Sequence, residues 1–238
     1  MLKNKNFVSR RKRICFFVVF ILTLEVAIWG SVGFLSLFSQ EKIEVVGKNL
    51  VIVLDAGHGG IDGGVIGSVT GVKESDLNLA TCIELKKRLE ERGATIILTR
   101  KDKNGLYGNT GKGFKLRDMQ KRREIIKNAN PDLVISIHMN KFSDGSRSGP
   151  QVFFQAGREN GKSLASSIQT ALNNFTGNAH SALGGDFYIC QCVDMPSVIV
   201  ECGFLSNATE EAKLCDCDYR GELAEEIVKG IFLYLYSA

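Results

Sequence analysis

Four continuous apolar runs of strand length punctuate this chain: LVIVLD (50–55), ATIILT (94–99), LVISIH (133–138) and SVIVE (197–201). Runs that stay apolar on successive residues suit strands buried on both faces, as in a parallel sheet covered by helices. Between the first two lies SDLNLATCIELKKRLEERG (75–93), with Leu77, Leu79, Ala80, Ile83, Leu85 and Leu89 forming an apolar side. Charges occupy its other side and glycine closes it, the pattern of an amphipathic helix. Further helices are expected near 116–128, 160–174 and 219–236. Strands alternating with helices predict one α/β domain with a largely parallel mixed sheet flanked by helices.

The first 13 residues carry six basic side chains and no acid, and residues 14–38 are apolar with Glu25 as their only charge. Such a run is long enough to cross about 30 Å of hydrocarbon as a helix. The basic flank places the N-terminus in the cytoplasm and the body outside. The expected layout is a cytoplasmic basic segment (1–13), a transmembrane signal anchor or signal peptide (14–38), a linker (39–49) and a folded domain (50–238).

Of 30 basic and 26 acidic residues, those six lie in the leading segment, leaving 24 basic against 26 acidic in the remainder. A slightly acidic body lacks the clustered positive field that nucleic acid requires. Cys15 falls in the apolar run, and six cysteines fall in the body: Cys82, Cys190, Cys192, Cys202, Cys215 and Cys217. An even number in an exported domain invites disulfides. Yet CQC and CDC are spaced too closely for a C-x-x-C zinc ribbon, and Cys82 and Cys202 sit in apolar segments. Paired and reduced states both stay open.

Functional side chains of an open α/β sheet collect beyond the C-terminal ends of its strands. Three of the four runs lead into an ionisable group at or just past that end: Asp55 with His58, then His138, then Glu201. Thr99 and Arg100 follow the remaining run. Alone, each such residue reads as a solvated or core side chain; their convergence on one sheet edge makes a site. His58 and His138 supply imidazole nitrogens suited to zinc, and a catalytic zinc wants a third protein ligand and an open position. Glu74, in VKESDL at or just before the start of the first helix, is the natural carboxylate. Glu201 ends a buried strand with no basic neighbour in sequence, which favours a raised proton affinity and a general-base role. A metal and such a base together suffice to hydrolyse an amide. A phosphate cradle in DAGHGGIDGG is disfavoured, because neither G-x-x-x-x-G-K-[ST] nor G-x-G-x-x-G is present. The serine-hydrolase signature G-x-S-x-G is missing too.

LDAGHGGIDGG, the glutamate of VKESDLNL, LVISIHMN and VIVECGFLSN resemble the four ordered motifs of the zinc-dependent N-acetylmuramoyl-L-alanine amidases, the amidase-3 family. The similarity spans about residues 50–236. It implies that His58, Glu74 and His138 bind Zn2+, that Glu201 is the catalytic acid/base, and that the bond cut joins muramic acid to L-alanine in peptidoglycan. Asn140, Arg100 and Arg122 match family-like positions and are expected to contact substrate or support the site, the arginines by pairing with carboxylates beneath it. Two departures stand out: Met139 replaces the usual alanine, and NAHSALGGDFYIC lacks the arginine that many relatives carry before the last strand.

A single domain behind a membrane segment, without wall-binding repeats, most resembles the CwlD-type amidases of spore formers. That implies action on spore cortex peptidoglycan between the membranes of the developing spore, ahead of muramic-δ-lactam formation and germination. The bare architecture also suggests an activator protein as a partner. His180 is expected to be a loop residue. The same ligand set would serve a zinc peptidase cutting the stem peptide, and a non-catalytic wall-binding protein is the alternative of another class; binding alone would not need Glu201.

Overall fold

The computed structural model describes residues 49–237, so the expected cytoplasmic, membrane and linker segments lie outside the described residues. Each of the four apolar runs becomes a strand: β1 (Val51–Ala56), β2 (Thr95–Leu98), β3 (Leu133–Asn140) and, last in the chain, β6 (Ser197–Phe204). β1 pairs in parallel with β2 and β3, and β3 pairs in parallel with β6. Two further strands extend the sheet, β4 (Gln151–Gln155) and β5 (Leu183–Gly185), giving the order β2-β1-β3-β6-β4-β5. β4 runs antiparallel to β6 and parallel to β5, so the sheet is mixed.

The helices are α1 (Glu74–Glu90), α2 (Phe114–Ala129), α3 (Glu159–Thr176), α4 (Ala208–Cys215) and α5 (Cys217–Ser237). α1 and α3 pack on the sheet, and α5 packs across both of them. At Gly230 of α5 a Cβ would lie 2.5 Å from the Cα of Ile168, so glycine sets how closely α5 approaches α3. α2 and a short 3-10 segment (Tyr188–Gln191) serve the other face. There Val53 and Val134 pack against Ile126 of α2 and against Ile189, Cys190 and Cys192. No helix of the described residues is long and apolar enough to cross a membrane.

Four elements differ from expectation. β4 and β5 are short strands, β5 at the sheet edge, with Val152 the one fully buried residue of β4 and all of β5 at least partly open, so neither carries a strong apolar pattern. α4 is only two turns long, held by its cap: the Asn207 side chain accepts from the Thr209 and Glu210 N–H groups at 3.0 and 3.2 Å. β6 does not end at Glu201 but runs on to Phe204, which pairs with Asn140 past an irregularity in the ladder. Glu201 therefore lies within the strand.

Candidate metal centre

Past Ala56 the chain must turn sharply to bring His58 back toward the sheet edge. Gly57 permits this because a Cβ there would overlap the His138 ring. His58 itself takes a left-handed backbone, φ 61°. The carbonyls exposed by this turn are satisfied by two buried arginines, 2% and 1% exposed. Arg100 donates through Nε to the Ala56 carbonyl (2.8 Å) and through Nη2 to the carbonyls of Gly57 (3.1 Å) and Ser75 (2.7 Å). Arg122 donates through Nη1 to the Ala56 carbonyl at 2.7 Å and through Nη2 to that of His58.

Arg122 also pairs with two carboxylates, Asp55 and Asp118, each at 2.6 Å. Asp55 accepts further bonds from Thr99 Oγ1 and Ser136 Oγ, both at 2.7 Å. Burial opposes its ionisation, but Arg122 and the two hydroxyls outweigh it and draw the carboxyl down to about 2. Arg100 departs from expectation: its bonds go to carbonyl oxygens, with no carboxylate partner among the described residues. Both arginines brace the loop from beneath. Both are buried, and Arg122 also borders the cleft that His58 and His138 line.

Glu74 is the first residue of α1 and is 2% exposed. Its Oε2 accepts from the Val65 N–H at 2.7 Å; its Oε1 accepts from the Met139 N–H and from Asn78 Nδ2, both at 3.2 Å. The same Oε1 lies 2.9 Å from His138 Nδ1 and 3.3 Å from His58 Nε2. Burial alone would raise this carboxyl, yet His138 and His58 hold it far below the usual carboxylate range. The other nitrogen of His58, Nδ1, meets Asp62 Oδ2 at 3.0 Å, and Lys115 Nζ meets Asp62 Oδ1 at 3.1 Å. Burial opposes a proton on His58, but Glu74 and Asp62 raise its pKa to about 9.

One donor atom from each of His58, Glu74 and His138 lies within 4.8 Å of the others. Ligands about 2 Å from a tetrahedral zinc stand roughly 3.3 Å apart. The separations of 2.9 and 3.3 Å from Glu74 Oε1 match that edge. The donor set of two imidazoles and one carboxylate fits zinc, with a fourth position left for water or substrate.

His138 and Glu201 are register partners on β3 and β6, so their side chains leave the sheet on the same face. Glu201 Oε2 is buried without a hydrogen-bond partner among the described residues. Burial pushes this carboxyl up to about 7; His138 and His58 pull against the shift and Glu74 adds to it. A buried carboxylate oxygen left unpaired beside the ligand cluster is placed to take and return a proton. A cleft of about 350 Å³ is lined by His58 and His138 together with Phe114, Phe187 and Tyr188.

The remaining candidates lie at varying remove. Asn140 ends β3; its carbonyl accepts from the Leu205 N–H (2.9 Å) and its Oδ1 from the Lys141 N–H (2.7 Å). His180 lies on the loop before β5, with Nε2 3.0 Å from the Ser148 carbonyl. The six cysteines of the described residues are unpaired, four of them buried and Cys215 and Cys217 exposed. Sequence reasoning overlooked Asp62 and Asn78, which orient His58 and Glu74. Each stands four residues beyond its partner, the one available signal.

A family model described as N-acetylmuramoyl-L-alanine amidase matches residues 52–232. The chain belongs to this amidase family. It is an N-acetylmuramoyl-L-alanine amidase, a hydrolase of peptidoglycan. It is 34% identical over 191 residues to the germination-specific N-acetylmuramoyl-L-alanine amidase of Bacillus subtilis, covering 77% of this chain and 79% of that one. Among solved structures, the CwlD amidase of Clostridioides difficile, in complex with the GerS lipoprotein, superposes with a TM-score of 0.77 at 36% identity. That match covers 80% of this chain and all of the other. The catalytic domain of CwlV from Bacillus (Paenibacillus) polymyxa gives a TM-score of 0.69 at 29% identity, covering 79% and 99% of the two chains. The amidase fold of these structures is the mixed α/β sheet described above.

Proposed function

We propose that this amidase depends on zinc held by His58, Glu74 and His138, and that Glu201 is its general base and acid. The observation that carries the reading is the buried, unpartnered Oε2 of Glu201 on the same rung as His138. When bound, the ion supplies Lewis acidity toward an amide carbonyl and lowers the pKa of water. Asp62 keeps the proton of His58 on Nδ1 and so leaves Nε2 free to bind. Glu201, with its proton affinity raised by burial, accepts a proton from the attacking water at a carboxylate oxygen. It then delivers that proton to the nitrogen of the departing L-alanine, completing hydrolysis of the bond to muramic acid. Arg100 and Arg122 hold the loop that presents His58, and Asn140, at the end of β3, is assigned a substrate or support role.

The setting is the spore cortex, where peptide removal precedes muramic-δ-lactam formation. Support comes from the germination-specific name of the Bacillus subtilis relative and from the likeness to the CwlD amidase. The apolar run at 14–38 confines the domain outside the cytoplasmic membrane, between the membranes of the developing spore. A lipoprotein activator is part of this reading, supported by the relative solved with GerS. Full activity on cortex sacculi from the chain purified alone would remove the activator.

The test is digestion of denuded peptidoglycan by the full chain in detergent, with zinc, with chelator, and beside Glu201→Gln, with products read by mass spectrometry. Stem peptides with a free L-alanine N-terminus, lost with chelator and in the variant, are expected. Cuts within the stem would indicate a peptidase instead.

A further inference from the structure

The loop leading to Glu74 folds back on itself as a small hairpin. The Gly67 N–H donates to the Val72 carbonyl (2.8 Å), the Glu74 N–H to the Val65 carbonyl (2.8 Å) and the Ser75 N–H to the Gly63 carbonyl (3.1 Å). Ile66 and Lys73 form an antiparallel bridge between its arms. The base of the hairpin thus grips Glu74 through the backbone, and Val65 also donates to its carboxylate. The tip, residues 68–71, projects outward, with Val69 68% exposed. An unsupported tip of this kind frays.

One carboxylate holds it. Glu211 of α4 is 0% exposed, and its Oε2 accepts from Ser68 Oγ (3.1 Å) and the Val69 N–H (2.9 Å). Its Oε1 accepts from the N–H and the Oγ1 of Thr70, both at 2.7 Å. No cation pairs with Glu211 among the described residues, so the tip itself solvates the charge. Gly67 is part of the fit, because a Cβ there would overlap the Glu211 carboxylate. A fifth bond, from the Ser68 N–H to the Leu205 carbonyl (3.1 Å), ties the tip to the segment between β6 and α4.

We infer that Glu211 is a positioning residue: a buried latch that fixes the 63–74 hairpin to the exit of β6 and so sets Glu74 relative to Glu201. Glu74 sits at one end of the hairpin, and Glu201 sits on the strand that runs directly into α4. The latch rests on the hydrogen bonds above. Its consequence for metal rests on the zinc reading of the preceding section.

Glu211→Gln in the full chain tests it, since the amide turns two acceptor sites into donors that face donors. Hydrogen exchange of the 66–73 amides is expected to accelerate at least tenfold, with the sheet amides unchanged. Competition for zinc alone against a chromophoric chelator is expected to show affinity weakened about tenfold, with kcat largely recovered at saturating zinc. Ser68→Ala removes one of the four bonds and should give the same pattern in smaller degree, which keeps the test open should Glu211→Gln not fold. Leu172→Ala, buried in α3 away from the hairpin, supplies a control that lowers Tm without altering zinc affinity. Unchanged exchange at 66–73, or zinc affinity no weaker than in Leu172→Ala, would overturn the latch. If the unmodified chain takes up no zinc, the metal reading fails by itself, and the exchange result alone decides the latch.

Discussion

His138 and Glu201 occupy one rung of the parallel β3–β6 ladder, which turns both side chains to the same face without any loop between them. The proposed ligand nitrogen and proton-transfer group are therefore fixed by two adjacent strands in the middle of the sheet. The position of Glu201 inside β6 denies its Oε2 a hydrogen bond and keeps it buried. Replacement by glutamine keeps the shape and removes the proton acceptor. Glu201→Gln should lower kcat by about 10²- to 10⁴-fold. Zinc content by mass spectrometry should stay at the wild-type level, because the ligands are untouched; parallel loss of zinc would instead make Glu201 a ligand.

The buried pair of Asp55 and Arg122 gives a stability that depends on pH. The Asp55 carboxyl is lowered from 3.8 to about 2, so its contribution is complete above the unfolded value of 3.8 and is lost as pH falls through about 2. By linkage the shift corresponds to about 2 kcal/mol. Asp55→Asn should be destabilised at pH 7 by roughly 3 to 5 kcal/mol, since Arg122 then loses a buried charge partner. The gap from wild type should narrow toward pH 2. Urea midpoints for both proteins between pH 7 and 2 measure this; a gap independent of pH would show that the charge of Asp55 is not what stabilises.

How far the site could be read from the chain depended on whether its parts lie on regular elements. Leu50 to Asp55 and Leu133 to His138 announce buried parallel strands, and the ionisable residues at or past their ends follow from that topology. Glu74 was legible for the same reason, as an acid at a helix start. What stayed hidden depends on long-range contact: nothing in LTRKD shows that Arg100 will bind the carbonyls of Ala56, Gly57 and Ser75 rather than a carboxylate. β5 and α4 were missed because one is an exposed edge of three residues and the other is fixed largely by its Asn207 cap.

Asp62 shows how a contact outside the proposed ligand set would shape a metal site there. It meets His58 Nδ1 at 3.0 Å, which orients the ring and selects the tautomer that exposes Nε2. Asp62→Ala should weaken zinc binding by about 10- to 100-fold. Titration with a chelator should inactivate the variant at lower chelator concentration than wild type, and excess zinc should restore most of its activity. Activity that stays low at saturating zinc would mean that Asp62 acts on substrate as well.

Gly57 provides a test that alters packing alone. It lies between Ala56, the last residue of β1, and His58, and its Cα hydrogens face the His138 ring so closely that a Cβ would overlap Cε1, Nε2 and Nδ1. The ring cannot simply swing away, because Nδ1 is engaged with Glu74 at 2.9 Å and β3 is held between β1 and β6. Gly57→Ala should therefore cost about 1 to 3 kcal/mol by overpacking. The distortion falls on two of the proposed zinc ligands at once, so zinc affinity should drop further than that loss of stability would produce. Tm measured with and without zinc separates the effects: wild type should gain stability from the metal and Gly57→Ala should gain much less. An equal gain in both proteins would show that the loop yields to the methyl group and leaves the ligand geometry intact.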